Sequence, residues 1–511
     1  MEMLKALRQV IEKFKIRKIN VITPPKKGEK PDIFQKMYEA LGHEKYRDEE
    51  AFKEFIYEGK KVDERTHRKN VAEFTERMLN TLLFIDAKQE KFKTRGQTDT
   101  TIHRHLAAVN TLKIIGTTVA SVPLAEKIVE MGIDYDLPLP TIDAANYLAH
   151  YYSLRLPDDK KFKYYSHIII EQLDKFRREV FISGIYCHLF LIKIVEPASL
   201  YKLRERIKSH LHTIEKIAAM TDIPDVIMQT AYIKLQIYPE QKHAQKRISI
   251  CRKALEKLNK KAYPPTKSNL LLLLYIALTQ CSSAQFKAAE KSLQQATLIS
   301  KNLHNAYQCE LLGARCLTYL RSGQYDKAVR LLNKLPSSSI MSTQSNPVQN
   351  GWILNRAYLL LLISTGKAKA SGKRDTSGAA IERFFDNPPD FEKGQLIQYV
   401  SIIIAKFIYL LNMRKRSEAQ ELVQPMRTYL NRAKKQPHLK RMYIFLEMLC
   451  TIPAARFKPL AVEYRSKKWL DELRQHPLEL TDQPFEIELI PFETLWEIVL
   501  DILKKKKRKA R

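Results

Sequence analysis

Thirteen histidines, six cysteines and 56 aspartates and glutamates are the material from which this chain could build a catalytic or metal site, so their spacing decides which chemistry is open to it. His103 with His105, and His210 with His212, stand two residues apart; on a helix such pairs point to different sides, and neither can grip a metal ion. No His-Glu-x-x-His or Cys-x-x-Cys occurs. Cys187, Cys251, Cys281, Cys309, Cys316 and Cys450 are scattered, mostly through apolar helical patterns, which suits reduced buried thiols better than a disulfide framework. Asp134, Asp136 and Asp143 cluster near a turn without the glycine and distal glutamate of a calcium loop, so helix caps account for them. The run from Gly366 through Gly372 to Arg374 imitates a phosphate-binding loop but has five residues between its glycines. Arg374 also stands where a Mg²⁺-binding Ser or Thr is required, and the preceding segment reads as helix rather than strand. Tyr151, Tyr152, Tyr164 and Tyr165 could stack on bases, yet their apolar helical setting points to core packing. Catalytic residues, a cofactor site and a metal site are therefore not expected, and neither is an enzyme.

Charge gives a second route to function. The net charge is +31, but the first hundred residues hold 23 basic and 18 acidic side chains, close to balance. Residues 401–470 hold 15 basic against 4 acidic, and the last eight residues contain seven more basic ones. A positive field at that end attracts anionic partners without choosing among them, and it serves equally as a solvated, solubilising face. Lys504, Lys505, Lys506, Lys507 and Arg508 are the candidate nucleic-acid contacts there.

The elements that would carry any site are helical. Glycine is scarce at 14 residues, which disfavours a fold full of tight turns, and Leu, Ala, Lys, Glu and Gln are abundant. At 511 residues the chain exceeds one compact core, so several domains or a repeat array are expected. The stretch 270–335 supplies the repeat. A step of thirty-nine residues takes Phe286 to Tyr325, Ala289 to Ala328, Leu293 to Leu332 and Ala296 to Leu335, with Ser322 and Gly323 at the turn. A looser copy runs through Phe407, Leu410, Ala419, Val423 and Met426.

These residues resemble the tetratricopeptide repeat family: small residues at Ala277, Ala289 and Ala296, an aromatic after the turn at Phe286, then Tyr319, Gly323, Tyr325 and Ala328. Cys316 replaces a small residue, and the spacing exceeds the family's usual length of about thirty-four residues, so the chain is TPR-like. The resemblance implies an all-α solenoid of helical hairpins that binds a protein or peptide. On that reading the polar first-helix residues Asn269, Gln280, Gln308, Arg315 and Asn355 are the candidate partner-binding positions.

Taken in order, residues 1–98 read as a small helical module with linkers, beginning with an amphipathic stretch at 1–19. Within it Asp32, Asp48 and Asp63 can each cap a helix, and the last two helices satisfy the loose form of a helix-turn-helix. Arg65, Arg68 and Lys69 would be its nucleic-acid contacts, although the same residues belong in any small capping module. Helical hairpins fill 99–260, with Gly184 as the natural break in the segment 158–196, and TPR-like repeats fill 261–435. Residues 436–503 are expected as a helical cap in which a short extended segment near 485–490 precedes a last helix at 492–503, and 504–511 as a basic tail. The N-terminus lacks an apolar signal core, and the longest apolar run is nine residues from Leu270, short of the roughly 18 a membrane crossing needs. The expectation is a cytoplasmic scaffold or adaptor; the alternative is a nucleic-acid-associated factor or transcriptional regulator using 32–85 or the basic C-terminal segment. Oligomeric state is not specified by these patterns.

Overall fold

A computed structural model describes residues 32–41, 49–82, 95–195, 200–238, 240–300, 305–335, 346–370, 376–387, 396–433, 439–476, 478, 486 and 488–505. Helices hold 84% of these residues, and no strand occurs among them. The expected helix at 1–19 and the tail beyond Lys505 lie outside the described residues, as do Phe485 and Ile487 of the expected extended segment.

Three short helices come first: α1 (Ile33–Ala40), α2 (Glu49–Tyr57) and α3 (Glu64–Leu82). Asp32 Oδ1 accepts from the Gln35 N–H at 2.7 Å and Asp63 Oδ1 from the Thr66 N–H at 2.9 Å, so both aspartates cap as their position before an apolar run requires. Gly59 closes α2 at a φ of +74°, where glycine carries no Cβ cost. Met37, Phe52, Ile56, Phe74 and Met78 bury against one another as a small core of their own.

The next hairpins are α4 (Arg95–Ile115), α5 (Thr118–Asp134), α6 (Pro138–Leu154) and the 37-residue α7 (Asp159–Val195). Helix α4 starts at Arg95, ahead of the boundary at residue 99 expected between the N-terminal module and the hairpins. Gly184 does not interrupt α7 either: Ile182, Leu189 and Tyr186 pack on the following helices, and that burial outweighs the ~1 kcal/mol a helical glycine costs. Helices α8 (Leu200–Ser209) and α9 (Leu211–Ala219) divide at His210, whose backbone leaves the helical region. Then follow α10 (Pro224–Ile237), α11 (Glu240–Leu258), α12 (Thr266–Ser282), α13 (Phe286–Ser300), α14 (Asn305–Arg321), α15 (Tyr325–Leu331), α16 (Asn346–Ser364), α17 (Gly378–Asp386) and α18 (Leu396–Asn412). Helices α19 (Arg416–Glu421), α20 (Val423–Ala433), α21 (Lys440–Ala454), α22 (Pro459–Gln475) and α23 (Phe492–Lys504) complete the chain.

Most helices pack on the one before and the one after. In addition α10 meets α12, α12 meets α14, α14 meets α16 and α16 meets α18, so alternate helices also touch in a row. The small residues of the repeat explain the close approach: Ala277, Ala289, Ala296 and Ala328 are all buried at points where neighbouring helices meet. Cys316 is fully buried beside them, so a thiol fills the small-residue position.

One turn recurs along this row. Ala284, Gly323, Gly366, Arg414 and Arg456 adopt φ of 56°, 71°, 73°, 61° and 53° at the ends of α12, α14, α16, α18 and α21. At each, the following N–H reaches back five residues: Gln285 to the Gln280 carbonyl at 2.8 Å, Gln324 to Tyr319 at 2.9 Å, Lys367 to Leu362 at 2.9 Å, Lys415 to Leu410 at 3.0 Å and Phe457 to Ile452 at 3.0 Å. These are Schellman closures, and their identity makes the helices repeat in space where the sequence has drifted. An L-residue in that backbone region costs roughly 1–2 kcal/mol, partly offset by the greater chain entropy glycine gives up on folding. Ala284→Gly is therefore expected to raise stability by about 0.5–1 kcal/mol, and Gly323→Ala to lower it by a similar amount, in urea unfolding curves.

The last helix does more than extend the row. Helix α23 packs on α22 and also turns back onto α18. Phe492, Leu495, Trp496, Val499 and Ile502 join one continuous core that reaches back to Cys281.

Candidate functional site

Helix α10 is the innermost of its neighbours, with Val226, Met228, Ile233 and Leu235 all buried. It presents Tyr232 to two other helices. Tyr186 and Phe190 of α7 place their rings 5.2 Å and 4.9 Å from the Tyr232 ring, and Tyr275 of α12 places its ring 5.1 Å away. Tyr186 and Tyr275 also share a hydrogen bond between their hydroxyls. Burial raises all three phenols well above their usual range, so they stay protonated and can donate or accept hydrogen bonds but not supply charge.

Negative charge comes from α14. Glu310 reaches water, yet the surrounding protein desolvates its carboxylate and raises its pKa. Among the described residues it has no ion pair and no hydrogen bond. Its field, after burial and the neighbouring tyrosines, adds to the upward shift of Tyr186 and Tyr275; at Tyr307 it is the next contributor after burial. Four helices thus bring together a tyrosine cluster and a carboxylate without a counter-ion, an arrangement suited to a cation: the aromatic faces attract it and the carboxylate pairs with it. Burial likewise raises the pKa of Glu179 on α7, against the pull of Arg95.

The sign of the Glu310 shift makes a prediction. Below its ordinary value of 4.5 the acid is protonated in both folded and unfolded chains, and the shift contributes nothing. Above its raised folded value it is charged in both, and the folded state alone carries the desolvation cost. Stability from this group therefore rises as pH falls through that window. Glu310→Gln is expected to raise the melting temperature at neutral pH, with the gain disappearing as pH falls below the ordinary carboxylate range.

A second polar cluster lies among the helix ends nearby. Arg95 donates to the Tyr135 and Asp136 carbonyls at 3.1 and 2.8 Å and pairs with Asp225 at 3.2 Å. Asp136 accepts from Lys261 at 2.8 Å and from the Tyr263 hydroxyl at 2.7 Å, while Tyr135 and Tyr263 stack with centroids 4.9 Å apart. Asp136 is thus a bridge between hairpins more than a hundred residues apart in sequence, rather than a helix cap, and these charges are already paired.

The residues singled out by sequence fall in several places. Gln280 is buried on α12 and accepts from the Ser292 hydroxyl of α13 at 2.8 Å. Asn355 is buried on α16, its amide donating to the Gly351 carbonyl at 3.0 Å. Arg315 is turned onto α13, donating to Thr297 Oγ1 at 2.8 Å and the Leu293 carbonyl at 3.2 Å. Asn269 and Gln308 are partly buried. On these first helices Gln280, Arg315 and Asn355 are turned to internal partners, while Glu310 stays exposed. Among the described residues, the Asn269 side-chain oxygen on α12 is buried without a hydrogen-bond partner, and Glu310 on α14 is exposed and unpaired; an unpaired glutamate carries no mark in the sequence.

Arg65, Arg68 and Lys69 are exposed on α3, where Glu64 pairs with Arg68 at 3.4 Å and with Lys53 at 2.8 Å. Lys504 pairs with Glu463, and Lys505 lies with its ammonium 3.4 Å from the Thr365 carbonyl. Lys506, Lys507 and Arg508 are outside the described residues. In the basic segment Leu460 and Tyr464 on α22 stand out at 81% and 84% exposed, with Arg456, Lys458, Lys467 and Lys468 exposed around them.

His103 is exposed beside Asp99, His210 and His212 are exposed, and burial lowers the pKa of His105. Tyr152 stacks on Tyr165 at 5.9 Å within a core that also holds Ile168 and Leu148. Burial pushes the Cys251 and Cys316 thiols up to about 12 and that of Cys450 up to about 11, leaving them protonated and unreactive. Among the described residues no three His, Cys, Asp or Glu side chains gather as a metal set, and no helix is long and apolar enough to cross a membrane. Comparison of the chain with family models, with curated proteins and with solved structures finds no match.

Proposed function

We propose that this chain is a TPR-like helical-repeat scaffold, a solenoid of hairpins whose row of alternate helices binds a partner segment carrying a basic side chain. The observation that supports the reading best is Glu310: a desolvated carboxylate with no partner among the described residues, beside Tyr186, Tyr275 and Tyr307. A guanidinium or ammonium from outside would pair with this carboxylate, which is open to water, and lie against the tyrosines. Binding of this kind asks no covalent chemistry of the chain. Selection from a display library of random peptides at neutral pH is expected to recover arginine- or lysine-bearing sequences on the wild-type protein and to lose them on Glu310→Lys. Recovery of the same sequences on both, or of none on the wild type, overturns the reading.

A second reading is favoured by one feature of the basic segment. Tyr464 and Leu460 project into water amid Arg456, Lys458, Lys467 and Lys468, a combination that could hold single-stranded nucleic acid by stacking and phosphate contact. Steeply salt-dependent binding of an oligonucleotide, lost in Tyr464→Ala, would bring this reading forward.

A further inference from the structure

Helix α7 has two faces. Tyr165, Ile168, Gln172, Ile182 and Leu189 are buried on its neighbours. Opposite them Ile170, Leu173, Val180, Phe181 and Leu191 are 45–65% exposed, an apolar stripe along one helix. The stripe keeps coiled-coil spacing: positions 170, 173, 177, 180, 184, 187 and 191 alternate steps of three and four, and each is exposed. Gly184 lies on this line. An added Cβ there would meet nothing within 4 Å, so among the described residues no contact calls for glycine in mid-helix, where it costs about 1 kcal/mol. A small residue on an exposed helix seam is what a closely crossing second helix requires.

We propose that α7 pairs antiparallel with the α7 of a second copy of this chain, about a two-fold axis between Val180 and Phe181. In that orientation the exposed stripe, with Asp174, Phe181 and His188 included, maps onto itself. Val180 meets Phe181 of the other copy, Arg177 covers the gap left by Gly184 and lies against the Phe181 ring, and Ile170 meets Leu191. Asp174 falls opposite Cys187 and next to His188, both exposed, so acid faces imidazole at each end. A parallel pairing would instead set Arg177 against Arg177 and Asp174 against Asp174. The isologous contact buries the same stripe on both copies.

The other described cysteines are buried, which turns Cys187 into a reporter. Asp174 sits on the surface, pairing among the described residues only with Arg178 at 3.5 Å, so cysteine there is tolerated. Along one helix positions 174 and 187 are about 20 Å apart, beyond any disulfide, and a bond between them must join two chains. Under mild oxidation of the full chain, Asp174→Cys is expected to give a reducible covalent dimer that the wild type and the double variant Asp174→Cys/Cys187→Ser do not give. Sedimentation velocity is expected to report twice the chain mass for wild type and a single chain mass for Val180→Glu, with unchanged circular dichroism. Cross-linking of wild type through Cys187 alone, or of the double variant, would mean a parallel pairing and overturns the proposal. A monomeric wild type with no cross-link from Asp174→Cys overturns it as well.

Discussion

Trp496→Ala is expected to lower the unfolding free energy by about 3–5 kcal/mol. Trp496 is 1% exposed and lies edge-on to Phe445 at 6.5 Å, while Phe445 stacks on Phe492 at 4.4 Å. Removing the indole opens a cavity between α23 and α21 that rigid neighbouring helices cannot collapse into. Because α23 also rests on α18, the loss should spread: the core from Cys281 to Ile502 is continuous, and α18 loses a wall. Trp496→Phe, which keeps much of the volume, is expected to cost less than half as much. Chemical unfolding followed by far-ultraviolet circular dichroism measures both, and an alanine variant as stable as wild type would mean that α23 is only loosely attached.

Arg441→Met is the second large effect, expected at about 3–5 kcal/mol, because it strands two carboxylates of a mostly buried ion cluster. The Arg441 guanidinium donates to Glu488 Oε2 at 2.9 Å and Oε1 at 2.7 Å, to Glu493 at 2.7 Å and to the Leu473 carbonyl at 3.0 Å, and it also reaches the His476 carbonyl. Burial opposes its charge, but Glu488 and Glu493 hold it firmly protonated. Glu488 in turn accepts the Phe492 N–H at 2.8 Å, so the arginine positions the carboxylate that starts α23. Arg321, nearly fully buried, donates to Glu486 at 3.0 Å and the Glu488 carbonyl at 3.1 Å, so the same segment is fastened to α14. Adding Glu488→Gln to Arg441→Met should recover part of the loss, since one stranded charge is then gone. Thermal melts of the single and double variants check this, and no recovery would point to packing rather than charge.

Much of the architecture is legible in the residues. The thirty-nine-residue step marks Ala289, Leu293 and Ala328, and each is buried where helices meet. Asp32 and Asp63 announce helix starts through side chains that can serve only a free N–H. What was hidden depends on pairings across helices. Ala284 and Arg414 carry the same turn as Gly323 without glycine, because the surrounding hairpin holds them in a backbone region that their own preferences avoid. Gly184 looks like a break, yet tertiary burial carries α7 through it. Tyr186, Tyr232 and Tyr275 are separated by more than forty residues each, so their meeting could not be read from spacing. Gln280 accepts from Ser292 of the next helix and Asn355 donates to Gly351 of its own, bonds that polarity in the sequence does not reveal.

The proposed scaffold rests on a cation meeting Glu310 on the row of alternate helices. The most direct measurement is a fluorescence-anisotropy titration of one fluorescein-labelled, arginine-bearing peptide recovered by selection, with wild-type protein and with Glu310→Gln. Removing a charge-assisted contact of about 1.5–3 kcal/mol predicts binding weaker by roughly tenfold or more in the variant. Equal affinity for the two proteins would contradict it.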